Sequence, residues 1–215
     1  AVAARVAAAG AQLLRGGAFK PRSSPYAFQG HGEVALRWMR RAAEANGLRV
    51  VTEALGEADV SLVAEYADLV QVGSRNMQNF SLLKAIGRTG RPVMLKRAMS
   101  ATVDEWLLAG EYLLEHGAAG VIYCERGIRG FDHATRNLLD LGAVAQLAHA
   151  HGLAVVADPS HGSGRRDLVL PLARAALAAG AAGVMIEVHE DPGKALSDGP
   201  QALLPEELAR AVEAG

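Results

Sequence analysis

The sequence predicts an α/β fold, a (β/α)8 TIM barrel whose first strand is missing from the chain, and three observations carry that prediction. Seven short apolar runs each end in a charged residue or histidine: LLRGG at Arg15, VVTE at Glu53, VQVGSR at Arg75, VMLK at Lys96, VIYCER at Arg126, VVADPSH at His161 and VMIE at Glu187. They alternate with amphipathic, Ala- and Leu-rich stretches. The runs are apolar on both faces, as in a parallel sheet covered by helices, and their even spacing without an internal crossover favours a barrel over an open doubly wound sheet.

Taken in order, AVAARVAAAG reads as the helix after a strand that the chain does not contain. The run ending at Arg15 is followed by β-branched runs at 49–54, 69–73, 92–96, 120–124, 153–157 and 183–188. Between them lie EVALRWMRRAAEANG, DEWLLAGEYLLEHG, NLLDLGAVAQLAHAHG and LVLPLARAALAAG, which close on Gly47, Gly117, Gly152 and Gly180, the residue type expected at helix C-termini. About seven strands stand where a closed barrel has eight. The expectation is therefore an upstream apolar strand, without which a seven-stranded sheet keeps unpaired edges and the chain expressed alone is poorly soluble.

Bulk properties fit one domain spanning residues 1–215: the chain is long enough for a substantial core, and 50% of it is hydrophobic. No apolar stretch reaches the roughly 18 to 20 residues that span a bilayer, and no signal peptide is visible. The single cysteine, Cys124, rules out an intramolecular disulfide and points to a reducing, cytoplasmic setting. Formal net charge is only −1, yet Arg15, Arg75, Lys96 and Arg126 all stand at strand ends, with Lys20 and Arg22 close behind in the first loop. In a barrel those ends share one mouth. That concentration of cations on a nearly neutral protein suits small, multiply charged anions such as phosphorylated metabolites rather than the continuous charge of a nucleic acid, and the lack of a spanning stretch speaks against a membrane partner. Arg offers paired donors to phosphate or carboxylate oxygens, and Lys a compact point charge.

A metal signal lies in the last third. His161 in ADPSHGSG, Glu187 in VMIEVH and Asp198 in ALSDG come from successive strand ends and loops. One nitrogen and two carboxylates suit a divalent ion such as Mn, Fe, Co or Zn and argue against calcium. Each residue alone has an ordinary rival reading, a solvated loop carboxylate or a His bonded to backbone; their joint placement is what favours the metal.

GGAFKPRSSPYAFQG, VVTEALGE, QVGSRNMQN, VMLKR, YCERGIRGFD, ADPSHGSGRRDLV and EVHEDPGKALSDGPQAL, in this order over essentially the whole chain, resemble the motifs of 3-deoxy-D-arabino-heptulosonate 7-phosphate (DAHP) synthases. The resemblance is to the short microbial class related to 3-deoxy-D-manno-octulosonate 8-phosphate (KDO8P) synthase. It implies condensation of phosphoenolpyruvate with erythrose 4-phosphate. By matching positions it implies that Arg75, Lys96 and Arg126, helped by the backbone of Ser74, hold phosphoenolpyruvate, with Arg15 and Lys20 at its reacting end. Arg22 and Ser23 would grip the aldose phosphate, Lys20 would act as proton donor, and His161, Glu187 and Asp198 would hold the metal with a cysteine on the first strand. The resemblance also implies a homodimer or homotetramer. Ser74 stands where Ala is common, which leaves the backbone contact intact.

The remaining residues are read structurally. Cys124 shares a strand face with Arg126 but lies deeper, so it is expected to pack in the interior and not to bind metal. Asp158 is expected to orient His161 or Lys20, and Glu53 to orient a cation or the metal shell, or to touch substrate. Arg15 and Arg75 have a rival reading as ion-paired scaffold residues. His31, His116, His133, His149 and His151 are expected to face solvent. Two functional alternatives stand beside the main one: a KDO8P synthase using arabinose 5-phosphate, disfavoured because KPRSS replaces an Asn-containing motif, and a non-catalytic barrel that binds phosphometabolites.

Overall fold

The computed structural model describes residues 1–21 and 24–212, so Arg22 and Ser23 lie outside the described residues. Every registered strand pair is parallel, and strand order is chain order. The chain forms two compact units, one of Ala11–Leu95 and Asp104–Val121, the other of Ala1–Gly10, Lys96–Val103 and Ile122–Gly215.

The first of these contains β1 (Leu13–Arg15), α2 (Glu33–Glu44), β2 (Arg49–Glu53), α3 (Val60–Tyr66), β3 (Leu69–Val72), α4 (Phe80–Gly87), most of β4 (Val93–Lys96) and most of α5 (Val103–Glu115). Strands β2, β3 and β4 are buried along nearly their whole length, as the unbroken apolar runs require. Helices α2 and α3 pack on β2, and α3 also on β3. Fully buried Trp106 anchors α5 by donating its indole N–H to Leu95 O at 3.1 Å.

The second unit begins with α1 (Val2–Ala8) and continues through β5 (Val121–Glu125), α6 (Leu141–Ala145), β6 (Val155–Ala157), α7 (Pro159–Ser163), α8 (Arg166–Ala178), β7 (Gly183–Val184) and α9 (Pro205–Val212). Helix α1 meets α9, where Arg5 pairs with Glu206.

Local expectations hold with instructive departures. Gly47, Gly117, Gly152 and Gly180 all take positive φ, the conformation that ends a helix at little cost only for glycine. The helix expected over 137–152 begins late, because Leu138 turns back to bridge Ile128 and Asp140 caps the helix by accepting from Ala143 N; its last turn, Gln146–Ala150, is π-helical. The strand expected over 183–188 contains only two ladder residues. β6 offers only three residues for it to pair with, and beyond them Val188 bridges Leu203 instead. Glu187 therefore sits on extended chain past a strand, not at its last residue. Among the histidines expected in solvent, His116 differs: it is half-buried, stacked on Tyr112, and its Nδ1 lies 2.8 Å from Tyr112 O.

Candidate active site and metal centre

In the second unit the sequence DPSH builds its own scaffold. Asp158 caps α7, Pro159 takes the first helical position, where its missing N–H costs nothing, and Asp158 Oδ1 accepts the His161 backbone N–H at 3.0 Å. The short helix turns the His161 ring back onto the same carboxylate, with Nδ1 2.8 Å from Asp158 Oδ2. That contact leaves Nε2 outward, 3.9 Å from Glu187 Oε2. Glu187 is fixed through its backbone, donating to Ser160 Oγ at 3.0 Å and accepting from Leu203 N at 2.9 Å. Asp198 is the one non-glycine among the described residues with positive φ, at 58°, a conformation that Asp tolerates better than most side chains. Its Oδ1 accepts from Gln201, whose side chain is fully buried.

One ligand atom each from His161, Glu187 and Asp198 lies within 4.8 Å of the other two. The chemistry of the set fits a divalent transition ion: an imidazole nitrogen already oriented by a carboxylate, plus two partly exposed carboxylates. Cys124 is buried beside Lys96 and Asp158, and burial pushes its thiol up to about 12, as expected of a packing residue.

Two residues of this unit expected to hold an anion, Lys96 and Arg126, lie near the same carboxylate. Lys96 Nζ, almost wholly buried, donates to Asp158 Oδ2 at 2.6 Å and lies 3.8 Å from Met185 Sδ. Burial favours the neutral form of Asp158, but His161 and Lys96 overcome it and hold the carboxyl well below the usual range. Arg126 has a buried Nη1 without a hydrogen-bond partner, and burial lowers its guanidinium despite the nearby charge of Asp158. A buried cation with an unsatisfied donor is placed for an anion. The expected orienting role of Asp158 is thus seen on His161, and the lysine bonded to it is Lys96.

In the other unit, Arg15 ends β1 with Nε 3.3 Å from Gln71 Oε1 and Nη2 3.7 Å from Glu53 Oε2. Gln71 also donates to Glu53 Oε2 at 2.8 Å, so Glu53 orients a cation, one of its expected roles. A Cβ on Gly73 would fall 2.0 Å from Glu53 Oε1, so only glycine allows this carboxylate its position. Ser74 and Arg75 start the turn after β3; Arg75 is exposed and donates to Pro21 O at 3.0 Å. Lys20 sits on a loop held by the Phe19–Gly30 bridge and its own N–H bond to Gln29 O at 2.9 Å.

Sequence reasoning missed Gln71, Ser160, Gln201 and Asn137, which donates to His161 O at 3.1 Å. Gln71 was detectable as the one polar residue inside an apolar strand; the others carry no local signal.

The whole chain, residues 1–215, matches the family described as DAHP synthetase I. A phospho-2-dehydro-3-deoxyheptonate aldolase from Thermotoga maritima is 55% identical over 194 residues, covering 90% of this chain. The chain spans 57% of the length of that protein. A 2-dehydro-3-deoxyphosphooctonate aldolase from Aliivibrio salmonicida is 30% identical over 85% of this chain and 68% of its own length. Among solved structures, a DAHP synthase from Thermotoga maritima superimposes with TM-score 0.94 at 51% identity, over 98% of this chain and 63% of that one. A truncated 3-deoxy-D-arabino-heptulosonate 7-phosphate synthase from the same organism gives 0.90 at 48%, over 98% and 77%. The fold class is accordingly the (β/α)8 barrel, with seven strands among the described residues.

Proposed function

Because the chain belongs to the DAHP synthetase I family, we propose that it is the catalytic domain of a DAHP synthase, an enzyme of the shikimate pathway to aromatic amino acids. The reaction joins phosphoenolpyruvate, D-erythrose 4-phosphate and water to give DAHP and inorganic phosphate. One observation carries the reading: Asp158 bonds both Lys96, the proposed holder of phosphate, and His161, the proposed metal ligand. The greater identity to a heptonate aldolase than to an octonate aldolase supports the four-carbon aldose phosphate, as does KPRSS.

In this reading Arg75, Lys96 and Arg126, with the Ser74 backbone, hold the phosphate and carboxylate of phosphoenolpyruvate, and Arg22 and Ser23 hold the aldose phosphate. Fixing both substrates removes much of the entropic barrier to their meeting. Carbon 3 of phosphoenolpyruvate is a weak nucleophile, and a divalent metal, when bound, supplies Lewis-acid polarisation of the aldehyde. His161, Glu187 and Asp198 would hold that ion. As carbon 3 bonds to the aldehyde carbon, Lys20 delivers a proton to the aldehyde oxygen and Arg15 offsets charge at the reacting end. Water adds at carbon 2 and phosphate departs with cleavage of the carbon–oxygen bond. A cytoplasmic homodimer or homotetramer belongs to the same proposal.

Phosphate release with each aldose tests the reading. Erythrose 4-phosphate is expected to give the higher kcat/KM; a higher value with arabinose 5-phosphate would install the KDO8P alternative. Arg22→Ala should raise KM for the aldose phosphate more than for phosphoenolpyruvate. Chelation should abolish turnover until Mn, Fe, Co or Zn is restored, and full activity in demetallated protein would remove the metal role.

A further inference from the structure

Two donors converge on one atom. Lys96 Nζ and His161 Nδ1 reach Asp158 Oδ2 at 2.6 and 2.8 Å, while Oδ1 is taken by the His161 backbone N–H at 3.0 Å. The carboxylate has no exposed surface, so whatever one donor gives up becomes available to the other. We infer that Asp158 is a positioning residue through which an anion at Lys96 and a divalent cation at His161 strengthen each other's binding.

The inference rests on the proposed roles of Lys96 and His161 and goes beyond them, since neither role requires the two ligands to communicate. An anion that draws the Lys96 ammonium off Oδ2 leaves that oxygen wholly to the His161 Nδ1–H. A better-oriented and more basic imidazole is a stronger ligand through Nε2. In the reverse direction, a cation on Nε2 makes Nδ1–H the stronger donor to Oδ2, and the ammonium is released to face the anion. Linkage requires the two effects to be the same factor. Arg126 and the Cys124 thiol also lie close to this carboxylate, but neither is hydrogen-bonded to it and neither links the two ligands.

Direct attraction between a bound anion and a bound cation also produces coupling, so the test must separate that from the path through Oδ2. Calorimetry on the full-length protein gives the Kd of Mn²⁺ with and without phosphoenolpyruvate, and of phosphoenolpyruvate with and without Mn²⁺; no turnover occurs without an aldose. Each ligand should tighten the other by the same factor, about fivefold or more, and Asp158→Asn should reduce that factor at least threefold. Lys96→Met, measured without anion, should tighten Mn²⁺ in the wild-type background and not in the Asp158→Asn background, whereas simple removal of a charge tightens both alike. Equal coupling with and without Asp158, or equal tightening in both backgrounds, overturns the inference. Should Asp158→Asn fail to fold, Asp158→Ser takes its place, with the same outcomes expected and the same ones overturning the inference. Failure of phosphoenolpyruvate to bind the wild type overturns the functional reading and this inference with it, while binding of both ligands without mutual effect overturns the inference alone.

Discussion

Lys96 and Arg97 are neighbours in sequence, equally buried, and feed two ion networks of opposite balance. Lys96 meets Asp158, which also serves His161, so one carboxylate answers two cationic or proton-donating groups, with Arg126 nearby. Arg97 is itself divided, giving Nη1 to Glu125 at 3.1 Å and to Asp140 at 2.9 Å, while its Nε bonds Ala101 O at 3.0 Å. In the first, open network Arg126 Nη1 is buried without a hydrogen-bond partner; in the second, closed one Glu125 and Asp140 share Arg97. Their acids respond accordingly. Burial pushes Glu125 up, and its single shared arginine and the Gly127 N–H do not bring it back, whereas His161 and Lys96 hold Asp158 far down against the same burial. Burial of an ion pair therefore says little about its role until the partners on each side are counted.

The largest expected effect breaks the closed network. Arg97→Met strands Glu125 in the interior opposite Asp140 and should cost about 3 to 5 kcal/mol of unfolding free energy in urea. Metal affinity of the folded fraction should stay within twofold. A loss below about 1 kcal/mol would show that Arg97 is not the structural member of the pair.

Next in size is the open network. His161→Ala removes a proposed direct ligand and should weaken Mn²⁺ by more than the roughly 10- to 100-fold that loss of an orienting partner costs. Unfolding free energy should fall by only about 1 kcal/mol, since the ring is partly exposed. An unchanged Mn²⁺ Kd would remove His161 from the metal site.

A smaller effect compares the two acids through pH. Asp158, lowered by folding, contributes stability that is complete above its ordinary value of 3.8 and is lost as the pH falls through its folded-state value. Glu125, raised by folding, contributes stability that is complete below its ordinary value of 4.5 and is lost as the pH climbs through its raised value. Relative to wild type, Asp158→Asn should therefore be more harmful at pH 6 than at pH 3, and Glu125→Gln less harmful at pH 6 than at pH 3. Unfolding curves at the two pH values measure this, and slopes of the same sign for both variants would contradict the contrast.

The smallest effect concerns Cys124, which borders the open network without joining it. Its thiol, pushed up to about 12 by burial, should resist alkylation at pH 8 until the protein unfolds. Cys124→Ala should leave Mn²⁺ affinity unchanged.

Period and punctuation alone determined the alternation of strands and helices and the glycines that end the helices, because these depend on contacts within a few residues, whereas the short helix capped by Asp158 reads in the sequence only as a loop after a strand. The candidate metal set His161, Glu187 and Asp198 was also legible as residue types, although His161 lies within α7 and Glu187 past β7 rather than at strand ends. Strand alternation further implies that Lys96 and Arg97 point to opposite faces. Only the tertiary structure decided what each meets there. Asp158 lies 62 residues beyond Lys96, and Glu125 and Asp140 lie 28 and 43 beyond Arg97, so the pairings depend on how separate segments pack. The same holds for Gln71, which reads as one polar interruption in an apolar run until the parallel register sets it opposite Glu53 and within reach of Arg15. A side chain's direction follows from its own backbone, but its partner is fixed by the packing of a distant one, and so the sequence showed which groups carry charge while the fold chose which charges are neutralised and which are left for a ligand.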